Sequence, residues 1–216
     1  KVEVKVGGAL GATADSGTVF FSGTVDNFNP LAIELAQNPG NNNGWWSNFF
    51  VQSSETEMVL NKGFIVESES EVYVSVRANS DGQQYQAGAL VSKGKSGLGT
   101  RFRAGMFQNQ NSSHIGFISV MASEDLTQVA FNFTKNIETT GGPKTTETPL
   151  LVNLNKGESY ILASQGGFGN ELIGTLVTSN KPVIVNTGSA SGSFEESIGG
   201  QDYGFDQIVG SDLVGS

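Results

Sequence analysis

An all-β fold is predicted by three observations. Apolar and polar residues alternate over short runs, as with Val2, Val4 and Val6 against Glu3 and Lys5. Clusters of Gly, Asn, Ser and Pro punctuate those runs, and glycine alone supplies 29 of 216 residues, well above the usual share. No window sustains a 3.6-residue apolar period beyond about two turns. About fifteen short strands and at most one short helix are expected, packed as a β-sandwich or a propeller-like assembly.

Taken in order, Val2 to Val6 reads as a half-buried strand, followed by a Gly/Ala/Ser linker from Gly7 to Gly17. Phe20 to Val25 and Leu31 to Leu35 read as strands about the turn-rich segment Asp26 to Pro30. Gln37 to Gly44 is a concentrated loop signal that leads into Trp45 and Trp46. Glu55 to Leu60 is a further strand candidate, and Arg101 to Phe107 alternates Phe102, Ala104 and Met106. His114 to Met121 and Gln128 to Phe133 flank an acidic turn at Ala122 to Leu126, and Thr139 to Thr146 reads as a solvated hairpin tip. Leu150 to Leu154, Ser159 to Ala163 and Leu172 to Thr178 are strands, with a glycine turn from Gln165 to Asn170.

Two stretches share one design. Gly63 and Gly174 are each followed five residues on by a serine (Ser68, Ser179) and nine residues on by a Val-x-Val pair (Val72, Val183). Tyr85 and Tyr203 follow, each six residues before a valine (Val91, Val209), and Leu-Asn-Lys-Gly occurs at both Leu60 and Leu154. The spacing predicts two tandem pseudo-repeats, residues 17–107 and 116–216, preceded by residues 1–16 as a strand and linker. Each unit alone is marginal in size, so the two are expected to share one core as one compact module. The stretch Gly174 to Gly188 reads as two strands joined by a polar turn.

Composition narrows the function classes. Twenty-one acids against 12 bases give a net charge of −9, which argues against nucleic acid and against attraction to anionic lipid. No stretch nears the roughly 20 apolar residues of a membrane span, so membrane insertion is not expected. There is no cysteine, which removes thiolate catalysis and Cys-ligated zinc and leans towards a bacterial exoprotein or a cytosolic protein. An opening on Lys1 and a stop at Ser216 in mid-pattern lead us to expect a piece of a longer protein.

Catalytic signals are weak. Gly88 to Ser96 resembles a phosphate loop but places five residues between its glycines and no helix after it. His114 is the sole histidine, Gly-x-Ser-x-Gly is absent, and no pair of acids is singled out for glycoside hydrolysis. An enzyme is not expected. Asp202 and Asp206 in a glycine-rich setting are candidate Ca²⁺ ligands, although no Asp-x-Asp-x-Asp run accompanies them and turn capping accounts for both equally. No other cofactor is expected. Trp45 and Trp46, with Asn42 and Asn43 beside them, are candidate ligand-binding residues, since an exposed indole beside amides suits a sugar face or a protein hot spot. The competing reading packs both indoles in the core.

Three segments carry a family resemblance: Leu154 to Leu162, Leu172 to Val185 with its Ser-Asn-Lys-Pro-Val-Ile-Val, and Gln201 to Val209 with its Asp-Tyr-Gly-Phe-Asp-Gln. Together they resemble the N-terminal domain family of the IgG Fc-binding protein, in its bacterial surface-protein branch of gliding and adhesion exoproteins. The resemblance is most specific over Leu154 to Val209, extends to Val19 to Phe107, and does not reach residues 1–16. It implies a secreted, β-rich adhesion or recognition module rather than an antibody receptor, since no Fc-contact motif carries over. The expected location is extracellular, at the cell surface. A protein or glycan ligand on a surface and neighbouring domains of a parent protein are the expected partners, with Asn41 to Trp46 and Ser189 to Asp206 as the recognition loops. The alternatives are a structural stalk or fibre repeat without a ligand, and a carbohydrate-active enzyme domain.

Overall fold

A computed structural model describes residues 1–6, 19–34, 49–79, 87–109, 114–165, 172–193 and 202–212. The fold is all-β and built from antiparallel sheets. Its first half holds β1 (Val2–Val6), β2 (Val19–Gly23), β3 (Val59–Leu60), β4 (Phe64–Ser68), β5 (Ser75–Asn79), β6 (Ala87–Val91), β7 (Gly99–Arg103) and β8 (Gln108–Asn109). There follow β9 (Gly116–Ala122), β10 (Thr127–Asn132), β11 (Ile137–Thr139), β12 (Gly142–Lys144), β13 (Leu150–Leu154), β14 (Ser159–Ala163), β15 (Leu176–Ser193) and β16 (Asp202–Ile208). Among the described residues no helix is long and apolar enough to cross a membrane.

The hub is β15, 18 residues long. Its first part lies between β10 and β7, and its later part pairs with β9, β16 and β8. All of these strands belong to one nine-stranded sheet, nearly closed like a barrel, in which β15 exchanges neighbours at a register shift between Thr178 and Val183. An irregularity of this kind bends a strand and lets a sheet curl towards closure. The expectation of two strands joined by a turn is corrected here: Lys181 and Pro182 mark the irregularity inside a continuous strand. A proline is tolerated at such a point because no ladder donor is needed there.

Alternation fills the inside of the curled sheet. Ile118 and Val120 of β9, Val129 and Phe131 of β10, Leu162 of β14 and Val177, Val183 and Val185 of β15 are fully buried. The Phe131 and Tyr160 rings meet at 5.9 Å between centroids, joining β10 to β14 across the core. A smaller antiparallel sheet, β2-β1-β4, carries its own cluster, with Phe49 stacked on Phe64 at 4.6 Å and edge-on to Phe20 at 4.8 Å.

Three further expectations change. Leu31 to Glu34 forms no strand, Glu55 to Leu60 starts on the last residue of a 3₁₀ turn (Ser53–Glu55) and yields only the short β3, and Ser189 to Ser193 is a buried strand end rather than a recognition loop. The stretches at Gly63 and Gly174 lead into different sheets but share local geometry. Both glycines have positive φ (121° and 82°), and the serine five residues on donates its hydroxyl to the carbonyl two residues ahead, Ser68 to Ser70 and Ser179 to Lys181, each at 2.6 Å. An antiparallel pair follows in each case, β5 with β6 and later β15 with β16.

Candidate functional site

The odd-numbered face of β15 changes character along its length. Val183 and Val185 face the core, and then Thr187, Ser189, Ser191 and Ser193 continue the same face as buried hydroxyls. A buried hydroxyl needs an acceptor. Thr187 Oγ1 donates to the Gly105 carbonyl at 2.5 Å and Ser189 Oγ to the Phe107 carbonyl at 2.5 Å, which fastens the segment after β7 across the strand. The even-numbered face is Gly188, Ala190 and Gly192, small enough for aromatic rings to seat on it. A Cβ at Gly192 would stand 3.3 Å from Phe107 Cδ2, and one at Gly188 would reach 2.6 Å from Phe117 Cζ. Gly204 on the partner strand β16 likewise leaves room for the Phe107 ring.

These fittings shape a groove of about 550 Å³ between β6, β16 and residues 105–108. Met106, Phe107, Tyr203 and Phe205 supply its apolar walls, while Thr187 and Asp206 supply polar groups. β6 lies close beside β16 without a ladder between them. A Cβ at Gly88 would fall 2.6 Å from the Tyr203 carbonyl oxygen, so glycine sets that separation. Asn109 is fully buried, and neither Oδ1 nor Nδ2 has a partner among the described residues.

The two predicted aspartates both stand on β16 and point to different partners. Asp202 Oδ1 accepts the Ala87 N–H at 3.0 Å, and Asp206 Oδ1 pairs with Lys93 Nζ at 2.8 Å. Lys93 also donates its backbone N–H to Gln207 Oε1 at 2.7 Å and its ammonium to the Gln207 carbonyl. The carboxylates thus clasp the two ends of β6 to β16. Among the described residues no three His, Cys, Asp or Glu side chains converge to hold a metal. Asn42, Asn43, Trp45 and Trp46 lie outside the described residues. His114 is half-buried just ahead of β9.

The family described as IgGFc binding protein matches residues 87–216, more than half of the chain. The chain belongs to that family. No curated protein and no solved structure matches it. Every residue lining the groove falls within the IgGFc-binding match.

Sequence reasoning singled out Tyr203 as a repeat position and Asp206 as a cation ligand, and its recognition segment Ser189 to Asp206 included Phe205, but it missed Met106, Phe107 and Lys93 as parts of a site. A signal for the aromatic seat was present. Gly188 and Gly192 on one strand and Gly204 on the next have no side chains to fill the space beside them, so something large must occupy it. Nothing in the sequence selected Phe107 as the occupant.

Proposed function

We propose that this member of the IgGFc-binding family is an extracellular β module of a bacterial surface protein, and that it binds a protein ligand rather than catalysing a reaction. The observation that carries this reading is the groove of Met106, Phe107, Tyr203 and Phe205, apolar at its walls and rimmed by the Lys93–Asp206 pair. Aromatic and methionine side chains around a concavity, with charge at the edge, are what an anchoring side chain of a partner protein needs. Asp202 and Asp206 serve here as clasps, each satisfied by protein, rather than as calcium ligands. The scaffold is read as two related units, on the strength of the matching Gly63 and Gly174 geometries.

The test uses immobilised IgG Fc fragment and, separately, fibrinogen, with the whole chain flowed over each. Binding to either that weakens about tenfold or more in Phe205→Ala or Tyr203→Ala, with the melting temperature held, is the expected outcome. Binding to neither, or binding that both variants leave unchanged, overturns the assignment of the groove.

A further inference from the structure

The turn between β9 and β10 carries an unusual residue at its tip. Leu126 has φ +55° and is 78% exposed. A branched apolar residue in the left-handed region is strained, and here the surroundings hold it in place. Two Asn-Lys dipeptides from distant parts of the chain converge on it. From one side Asn155 Oδ1 accepts the Leu126 N–H at 3.3 Å, and Asp125 Oδ1 accepts the Lys156 N–H at 3.0 Å. From the other, Asn180 Nδ2 donates to the Leu126 carbonyl at 3.4 Å and Lys181 Nζ donates to the Asp125 carbonyl at 2.6 Å.

The same amides line a shallow groove of about 380 Å³, together with Gln128, Asn153 and Leu154. Their orientations are linked. Asn180 Oδ1 accepts the Gln128 N–H at 2.7 Å, and Gln128 Nε2 donates to Asn153 Oδ1 at 3.3 Å. That linkage leaves Gln128 Oε1 as an acceptor and Asn153 Nδ2 and Asn155 Nδ2 as donors with no protein partner among the described residues. No charged side chain lines the groove, although the chain as a whole carries a charge of −9.

We propose that this groove is a second binding site, and that it takes a neutral saccharide. Adjacent hydroxyls of a sugar each offer a donor and an acceptor, which is the complement of neighbouring carboxamides that are already fixed in direction. The exposed Leu126 side chain meets the C–H face of the ring. The lining itself is uncharged, with Lys181 Nζ turned outside it to the Asp125 carbonyl, so the groups that meet the amides are hydroxyls rather than anionic substituents. The site is distant in sequence from the aromatic groove and does not depend on it.

A glycan array printed with neutral and acidic oligosaccharides, probed with the whole chain, tests the assignment. Binding to neutral glycans is expected, weakened about fivefold or more in Gln128→Ala and Asn153→Ala. Leu126→Gly is expected to raise the melting temperature by relieving the strained backbone and yet to weaken the same glycans, a combination that a purely structural role for Leu126 does not produce. Binding to no glycan, or to acidic glycans alone, overturns the proposal. Neutral-glycan binding that survives all three substitutions also overturns it, as does capture of extended peptides in place of glycans in a parallel peptide array.

Discussion

Glu57 sits in the left-handed region at φ +59°, and its side chain is 9% exposed. Its carboxylate accepts the Gly141 N–H at 2.9 Å and pairs with Lys144 Nζ at 3.0 Å, while its own N–H donates to the Ile161 carbonyl at 2.7 Å. One residue thereby ties the β11–β12 hairpin to β14. Burial alone would raise its pKa, but hydrogen bonds from the Thr140 hydroxyl and the Gly141 N–H, and the Lys144 ammonium, together bring it below the ordinary value of 4.5. Tyr160, buried and near this negative charge, is pushed up. Replacing Glu57 by Gln leaves the half-buried Lys144 without its counter-charge and is expected to cost about 2 kcal/mol in chemical denaturation. The sign of the pH effect follows from the depressed pKa. The stabilisation from Glu57 is present above pH 4.5 and is lost as pH falls through the lower folded value. Stability of Glu57→Gln should therefore change less steeply with acidification through that window than that of the parent; an equal slope in the two proteins removes Glu57 as the source.

Strand β15 shows which elements could be read in advance and which could not. Leu150–Leu154 and Ser159–Ala163 were legible to the residue, because each is a short apolar run between unmistakable turns. Lys181 and Pro182 look like a turn in sequence, yet the strand continues through them, since a change of neighbours from β10 to β9 relieves the ladder where proline stands. The Thr, Ser and Gly residues from 187 to 193 look like a loop because small polar side chains are normally solvated. Here their hydroxyls find backbone carbonyls and their glycines admit aromatic rings, and neither partner lies nearby in sequence. The candidate groove was illegible for the same reason: it depends on where Phe107 lands. Contact between β6 and β16 belongs to this scale. Gly88→Ala places a methyl against the Tyr203 carbonyl, which is backbone and cannot swing aside. We expect a loss of about 2 kcal/mol and faster amide exchange over β16. Gly105→Ala, where a Cβ meets nothing within 4 Å, is the control and is expected to cost little or nothing.

At the scale of the whole molecule, the family match starts at residue 87, but the interactions of the matched part do not. β3 extends the sheet beyond β14, and Ser159 Oγ donates to the Lys62 carbonyl at 2.7 Å. Glu57 reaches Lys144, the chain at Gly63 packs against Met121, and β5 is the ladder partner of β6. The buried apolar cluster of the larger sheet is drawn from residues 102–185, but residues 49–79 are tied to it by strand pairing, hydrogen bonds and an ion pair. A fragment of residues 87–216 leaves β14 as an unpaired edge, strips β6 of its partner and leaves Lys144 uncompensated. Open edges invite association, and the lost Glu57 pair and ladder together amount to about 4 kcal/mol. The fragment is expected to melt at least about 8 °C below the whole chain, or to aggregate, whereas residues 49–216 keep all three contacts and should lose much less. Equal melting of the shorter fragment and the whole chain would show that the matched region is self-sufficient, and that β3, β5 and Glu57 only rest against it.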